Sequence, residues 1–263
     1  MSRSDMTHAA ESTHWYGRDG TPAYTVQAKA GHQRPTTLAD ARKLGLVPSV
    51  TTIIKSAAAP GLERWKLDQM LHAALTLPRT EGEQEADWIK RVWQDSTETA
   101  RKAAERGTAI HAAIQGFYET GHPERDYQAC IKGACDAVEK LIPGCESWVP
   151  EQSFAAQMGF GGKIDLSCNQ GVIDFKTKEF TDPESLKTWD EHAMQLAAYR
   201  HGLGIPTARC AIVYVSVTVP GLCKLIEIPE AELVRGWKCF YSLLQFWKAK
   251  NNFDPSFEKE MAA

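Results

Sequence analysis

Apolar positions recur every three to four residues in the first half of the chain and then switch to alternation. In TARKAAERGTAIHAAIQGFYETG, Ala109, Ile110, Ala113, Ile114 and Phe117 fall at helical spacing. This predicts one or two long helices over 84–120, with Gly121 as a stop. A helix over 60–75 opens near Pro60, and another over 126–142 is closed by Pro143-Gly144. The first 45 residues are polar and irregular, with a turn signal at Arg18-Asp19-Gly20 that could close a short hairpin. VPSVTTIIK (47–55) reads as a turn entering a short β-rich or helix-leading segment.

From Glu151 the pattern changes. EQSFAAQ (151–157), GGKIDLSC (161–168) and GVIDFKTK (171–178) read as three strands joined by short turns, an antiparallel meander. A helix over about 183–203 follows, then strands over 208–217 and 222–229, a helix over 230–250 and a loose tail from Asn251. Helices followed by a sheet that a helix interrupts predict an α/β fold, with a mixed central β-sheet flanked by helices. The expected layout is an N-terminal extension over 1–45, a main domain over 46–250 and a flexible tail over 251–263.

VIDFKTK (172–178) is the stretch where chemistry shows. Side chains two apart on a strand share a face, so Asp174 and Lys176 sit side by side while Ile173, Phe175 and Thr177 face away. A lone D-x-K pair is usually a solvated face or an edge-strand charge. The neighbouring strand, however, carries Asp165 in a similarly apolar setting. A carboxylate in a strand core costs several kcal/mol unless it is paired or metal-bound. Two such groups together need a cation between them. Lys176 supplies part of that charge, and a divalent ion would supply more. Oxygen ligands with few cysteines or histidines favour Mg²⁺ or Mn²⁺ over zinc. Glu151 is a candidate third carboxylate. His111, in RGTAIHAAI, is a candidate ligand, although a histidine among small and apolar residues is usually a satisfied core or surface histidine. Gln195 and Tyr199, four apart on the following helix, share a face, as an ordinary amphipathic boundary also would.

Composition narrows the class. The chain has 263 residues and a 43% hydrophobic fraction, enough for a substantial core. No apolar run is long enough to span a membrane. MSRSDMTHAAESTHWYG lacks an apolar leader core, so a cytoplasmic setting is expected. The formal charge of −3 excludes a strongly basic protein, although only local charge matters for steering a nucleic acid. The seven cysteines are scattered with no CxxC, so reduced thiols are expected. Their spacings, with His8, His14 or His192, fit no compact zinc module.

In order, the chain shows RGTAIH (106–111), Glu151, GGKID (161–165), IDFKTK (173–178) and QLAAY (195–199). That series resembles the PD-(D/E)XK nuclease superfamily in its RecB-like, phage-type exonuclease branch. PSVTTIIK and PGLERWK upstream also resemble the phage-type and mitochondrial genome maintenance exonucleases of that branch. The resemblance covers residues 47–203, and the last two strands and final helix are compatible with it.

The resemblance implies a restriction-endonuclease-like core over 46–250 and gives each matching position a role. Asp165 matches the first acid of the signature, with Ile164 where the name-giving proline would stand. Asp174 and Lys176 match the (D/E)xK element. His111 matches a helix-borne histidine that helps bind metal, and Glu151 a less fixed acid. Gln195 and Tyr199 match the QxxxY motif, thought to hold the site and the DNA backbone. The backbone carbonyl of Phe175 would complete the metal shell. Arg101, Lys102, Arg106, Lys163 and Lys178 are candidates for tracking phosphates, although Arg101 and Lys102 read equally as a solvated helix face. Trp15, Tyr16 and Trp189 are candidates for base stacking, although packing against the sheet is the favoured reading for Trp189.

The implied activity is Mg²⁺- or Mn²⁺-dependent hydrolysis of phosphodiester bonds from DNA ends, in phage or cellular recombination, replication or repair. The location would be cytoplasmic, in the host if phage-encoded. Some relatives carry a four-cysteine iron–sulfur cluster; the wide spacing of Cys210, Cys223 and Cys239 implies none here. The substrate partner is linear DNA, single- or double-stranded, with a single-strand annealing protein as a protein partner by analogy. The alternatives are an endonuclease on the same fold and a non-catalytic DNA-binding module.

Overall fold

A computed structural model describes residues 14–29, 31–57 and 60–258. The expectations drawn from residues 1–13, His8 among them, and from 259–263 lie outside the described residues. By internal packing the chain divides into two compact units, residues 58–112 and the remainder.

The smaller unit is helical. It contains α3 (Pro60–Thr76) and most of α4 (Glu85–Thr120). The expected one or two helices over 84–120 form one continuous helix, which Gly121 ends in a left-handed conformation. The α3–α4 connection is pinned by its own polar groups. Trp88 Nε1 donates to the Leu77 carbonyl at 2.7 Å, and Arg91 pairs with Glu83 at 2.9 Å.

The larger unit is built on a five-stranded sheet in sequence order: β5 (Val149–Ala156), β6 (Phe160–Cys168), β7 (Gly171–Lys178), β8 (Arg209–Ser216) and β9 (Cys223–Glu227). The first three strands form the antiparallel meander expected from the sequence. β8 then lies parallel to β7, from Gly171↔Arg209 to Lys178↔Ser216, and β9 returns antiparallel. A parallel neighbour needs a long crossover. The segment between β7 and β8 supplies it, including α6 (Asp190–Gly202). The fold is therefore α/β with a mixed sheet, as expected and consistent with a restriction-endonuclease-like core.

Helices cover both sheet faces. α6, α7 (Glu230–Lys250) and α2 (Val50–Ile54) bury a core with Phe154, Phe160, Ile164, Val172, Ile212, Leu196, Phe240 and Leu244 on one side. α5 (Gln128–Leu141) packs against β8 and β9 on the other. α6 starts later than the 183–203 pattern predicts. Asp182 caps a short 3₁₀ turn over Pro183–Ser185, after which Leu186 is extended and buried. The chain re-enters a helix only at Asp190.

The N-terminal strand pairs on two sides. The turn after Gly17 closes the expected short hairpin through a Tyr16–Pro22 bridge, with the Gly17 N–H donating to the Thr21 carbonyl and the Ala23 N–H to the Trp15 carbonyl, and β1 (Trp15–Tyr16) also pairs with β4 (Val47–Pro48). A separate hairpin joins β2 (Thr25–Gln27) to β3 (Gln33–Pro35), and α1 (Leu38–Leu44) follows. Near the other end, Phe257 N–H donates to the Gln157 carbonyl at 3.0 Å, and its ring packs against Tyr16, Val47 and Ala155.

The contact between α6 and α7 positions the site. It is close because Gly236 faces the α6 backbone: a β-carbon there would lie 2.6 Å from the Ala193 carbonyl group. Alanine ordinarily gains about 1 kcal/mol over glycine inside a helix. Here backbone atoms cannot give way, and overpacking of this kind costs about 1–3 kcal/mol. Gly236→Ala is therefore expected to lower the urea midpoint of unfolding despite its better helix propensity.

Candidate active site

The predicted acids meet where the β5–β6–β7 ladders change. Gln152↔Ile164 and Pro150↔Leu166 flank Asp165 on one side, and β6–β7 pairing begins at Leu166↔Ile173 on the other. By that register Glu151, Asp165 and Asp174 lie level on three neighbouring strands. Beyond Ile173 the β6–β7 ladder gives way to a side-chain link. Asp165 Oδ2 accepts the Phe175 backbone N–H at 2.7 Å. The N–H and C=O of one strand residue point to the same side. The Phe175 carbonyl therefore faces the β6 side as well, level with the acids.

Asp174 is the most enclosed of the three, 3% exposed. Its Oδ1 accepts the Gln195 amide at 2.7 Å. Its Oδ2 meets the Lys176 ammonium at 2.7 Å, but outside hydrogen-bonding geometry. This buried oxygen thus has a charged neighbour and no directional donor. Asp165 is held well above the usual carboxylate range, first by burial and then by the charge of Asp174, which Lys176 only partly offsets. Burial pulls Lys176 down, but the charges of Asp174 and Asp165 outweigh it and hold the ammonium above the ordinary lysine value. The sequence left open that Lys176 accepts a proton. Between these two carboxylates its shift runs the other way.

α6 secures this arrangement from behind. The Gln195 amide has two N–H donors; one goes to Asp174 and the other to the Tyr199 hydroxyl at 3.0 Å. Tyr199 is buried, and that burial, with the nearby Asp174 and Asp165, keeps its phenol neutral. Gly162 leaves room for the ring, since a β-carbon there would lie 2.8 Å from Tyr199 Cε1. The four-residue spacing thus marks a built hydrogen-bond relay, not an amphipathic boundary.

Glu151 adopts a left-handed backbone conformation with φ 53°, uncommon for a residue with a side chain. Its carboxylate is ion-paired with Lys163. Among the described residues, no three His, Cys, Asp or Glu side chains are gathered as a ready metal-ligand set. What the site offers a hard cation is two carboxylates, one with an undirected buried oxygen, and a backbone carbonyl. These oxygen donors fit Mg²⁺ or Mn²⁺ chemically.

The other sequence candidates separate. His111 and Arg106 lie on α4 within the smaller unit, His111 half-buried and Arg106 exposed. Arg101 pairs with Glu98 and Glu105, and Lys102 with Glu98, so both belong to a salt-bridged helix face. Lys178 is exposed at the end of β7. Trp15 and Tyr16 are each 2% exposed and cannot stack on a base. Trp189 is 63% exposed, against the reading that packs it on the sheet. It stands at the start of α6, and its backbone N–H donates to His192 Nδ1 at 3.2 Å.

No protein-family model and no curated protein matches the chain. Among solved structures it is similar to an alkaline exonuclease (LHK-Exo) from Laribacter hongkongensis. The identity is 16%, over 72% of this chain and 94% of that one, with a TM-score of 0.37. It is also similar to the protein SSO0001, at 17% identity over 69% of this chain and 86% of that one, with a TM-score of 0.27. The chemistry of the site is read from its own residues.

Two neighbours of Lys176 escaped the sequence reading. Tyr214 pairs with Lys176 across β7–β8, and the His192 ring lies 6.3 Å from the Tyr214 ring. Only the parallel register puts Tyr214 there, and no local motif announces it.

Asp165 has two opposed effects on stability: it caps the Phe175 N–H, and it repels Asp174. Asp165→Asn retains an acceptor oxygen and removes the repulsion. Asp165→Ala leaves the N–H unsatisfied, at about 1–3 kcal/mol. In urea unfolding near neutral pH without added metal, the asparagine variant is expected to match or exceed wild type and the alanine variant to fall below it.

Proposed function

We propose that the chain is a metal-dependent deoxyribonuclease that hydrolyses phosphodiester bonds from the ends of linear DNA. The observation that carries this reading is the Asp165–Asp174–Lys176 group on β6 and β7. Two carboxylates are level on adjacent strands, with a protonated lysine beside the undirected Oδ2 of Asp174. Such a site is costly for a protein to maintain without a cation and an anionic substrate to use it.

Asp165 and Asp174, with the Phe175 carbonyl, would hold a Mg²⁺ or Mn²⁺ ion; Glu151 is its proposed further ligand. When bound, such an ion lowers the pKa of water and neutralises phosphoryl charge. Lys176, kept protonated by its carboxylate neighbours, would stabilise the negative charge that develops on the phosphoryl oxygens and orient the attacking water. Gln195 and Tyr199 fix the Asp174 carboxylate so that it need not reorganise during the reaction. Lys163 and Lys178 would contact phosphates, and Lys163 would also release Glu151 for metal binding. The setting we infer is the processing of DNA ends in recombination, replication or repair.

A second reading, a non-catalytic DNA-binding module, is favoured by one observation: Glu151, the candidate third carboxylate, is already engaged by Lys163. One assay separates the two. End-labelled linear duplex, linear single strands and closed circles are incubated with Mg²⁺, Mn²⁺ or EDTA. Metal-dependent loss of linear DNA with circles spared is expected, and Asp174→Ala and Lys176→Ala should each lower the rate at least about 100-fold while the protein stays folded. Cut circles would point to an endonuclease. Near-normal cleavage by Lys176→Ala would sink the role given to that lysine, and no cleavage by folded protein would favour the binding module.

A further inference from the structure

We infer that Trp189, with Lys178 and Lys187, forms a platform for one unpaired nucleotide beside the candidate active site, and so that the preferred substrate end is single-stranded. This inference rests on the nuclease reading above.

Trp189 is the most exposed tryptophan of the chain among the described residues, at 63%. An indole left in water beside a buried polar site lacks the packing that ordinarily places tryptophan. Its position is fixed from the sheet. Tyr214 lies beside Lys176 in the β7–β8 register, and its hydroxyl donates to the Lys187 carbonyl at 2.9 Å. The chain runs only two residues, about 7 Å at full extension, from that anchor to Trp189. The His192 imidazole then accepts the Trp189 N–H at 3.2 Å and holds the start of α6. The backbone that carries the indole is thus held on both sides by Tyr214 and His192.

The charge nearby suits a phosphate backbone. Lys178 shares a strand face with Asp174 and Lys176 and is exposed, as is Lys187. Neither is in an ion pair among the described residues. The same crossover carries Glu179, Asp182, Glu184, Asp190 and Glu191; of these, Asp190 is engaged by Arg235, Glu184 by Lys224, and Asp182 caps the 3₁₀ turn by accepting the Glu184 N–H. Free lysines beside an exposed aromatic ring are the elements by which proteins hold single strands. The ring stacks on a base, whichever base it is, while cations follow the backbone. A fully paired duplex offers no free base face to the indole.

The test is binding of a labelled oligothymidylate and of a blunt duplex of equal length by fluorescence anisotropy in EDTA, so that no turnover intervenes. Wild type, Trp189→Ala and Trp189→Phe are compared. Trp189→Ala is expected to weaken single-strand binding about 10- to 100-fold and leave duplex binding unchanged, and Trp189→Phe to restore most of it. Lys178→Ala and Lys187→Ala should each reduce the salt slope by about 1. The platform is overturned if Trp189→Ala binds single strands as wild type does, if phenylalanine fails to rescue, or if duplex binding falls equally. Tight single-strand binding through Trp189 in a chain that cleaves nothing would retire the nuclease reading and leave the platform standing. Cleavage with single-strand binding indifferent to Trp189 would do the reverse, and binding of neither DNA would overturn the platform.

Discussion

The repulsion between Asp165 and Asp174 is the constraint around which the larger unit is arranged. Two carboxylates on adjacent strands, one of them buried, would each favour protonation or exposure. The fold instead surrounds them with specific compensations. The Phe175 N–H serves Asp165, the Gln195 amide serves one oxygen of Asp174, and the Lys176 ammonium lies against the other. Each contact comes from a different kind of element: a ladder that stops pairing, a helix laid across the sheet, and the next residue on the same strand face. None of the three neutralises both acids, and that residual charge is what the proposed cation would meet.

That requirement explains features remote from the acids. Gln195 reaches Asp174 only because α6 lies against the sheet, and α6 lies there because Gly162 admits the Tyr199 ring and Gly236 admits the α6 backbone to α7. The crossover that carries α6 also makes β8 parallel to β7, which brings Tyr214 beside Lys176. The Tyr214 hydroxyl then ties down the segment that presents Trp189. Topology, packing and the placement of polar groups are therefore one arrangement.

The strand carrying Asp174 and Lys176 was legible because a period of two admits one arrangement of neighbours, and the three-strand meander was legible from short turns between apolar runs. Gln195 and Tyr199 were legible as a pair from helical spacing, though not as the partners of Asp174. What stayed hidden depends on contacts between distant segments. The late start of α6 is set by the Asp182 cap and the burial of Leu186, which override a continuous helical pattern. The pairing of β1 with β4 adds a distant partner to the local hairpin that its turn residues suggest. The Glu151–Lys163 pair arises across strands at a left-handed residue that has no glycine to mark it. Trp189 looked like a core residue by type, and only the tethered entry to α6 leaves it in solvent.

The central claim is that Asp165 and Asp174 together hold a divalent cation. The most direct test is Mn²⁺ binding to the purified chain, followed by electron paramagnetic resonance, for wild type and Asp174→Asn with no DNA present. Saturable binding by wild type that is lost in the variant, with folding intact in both, is the result the account predicts. Wild-type protein that binds no Mn²⁺, or a variant that binds it equally well, would contradict it.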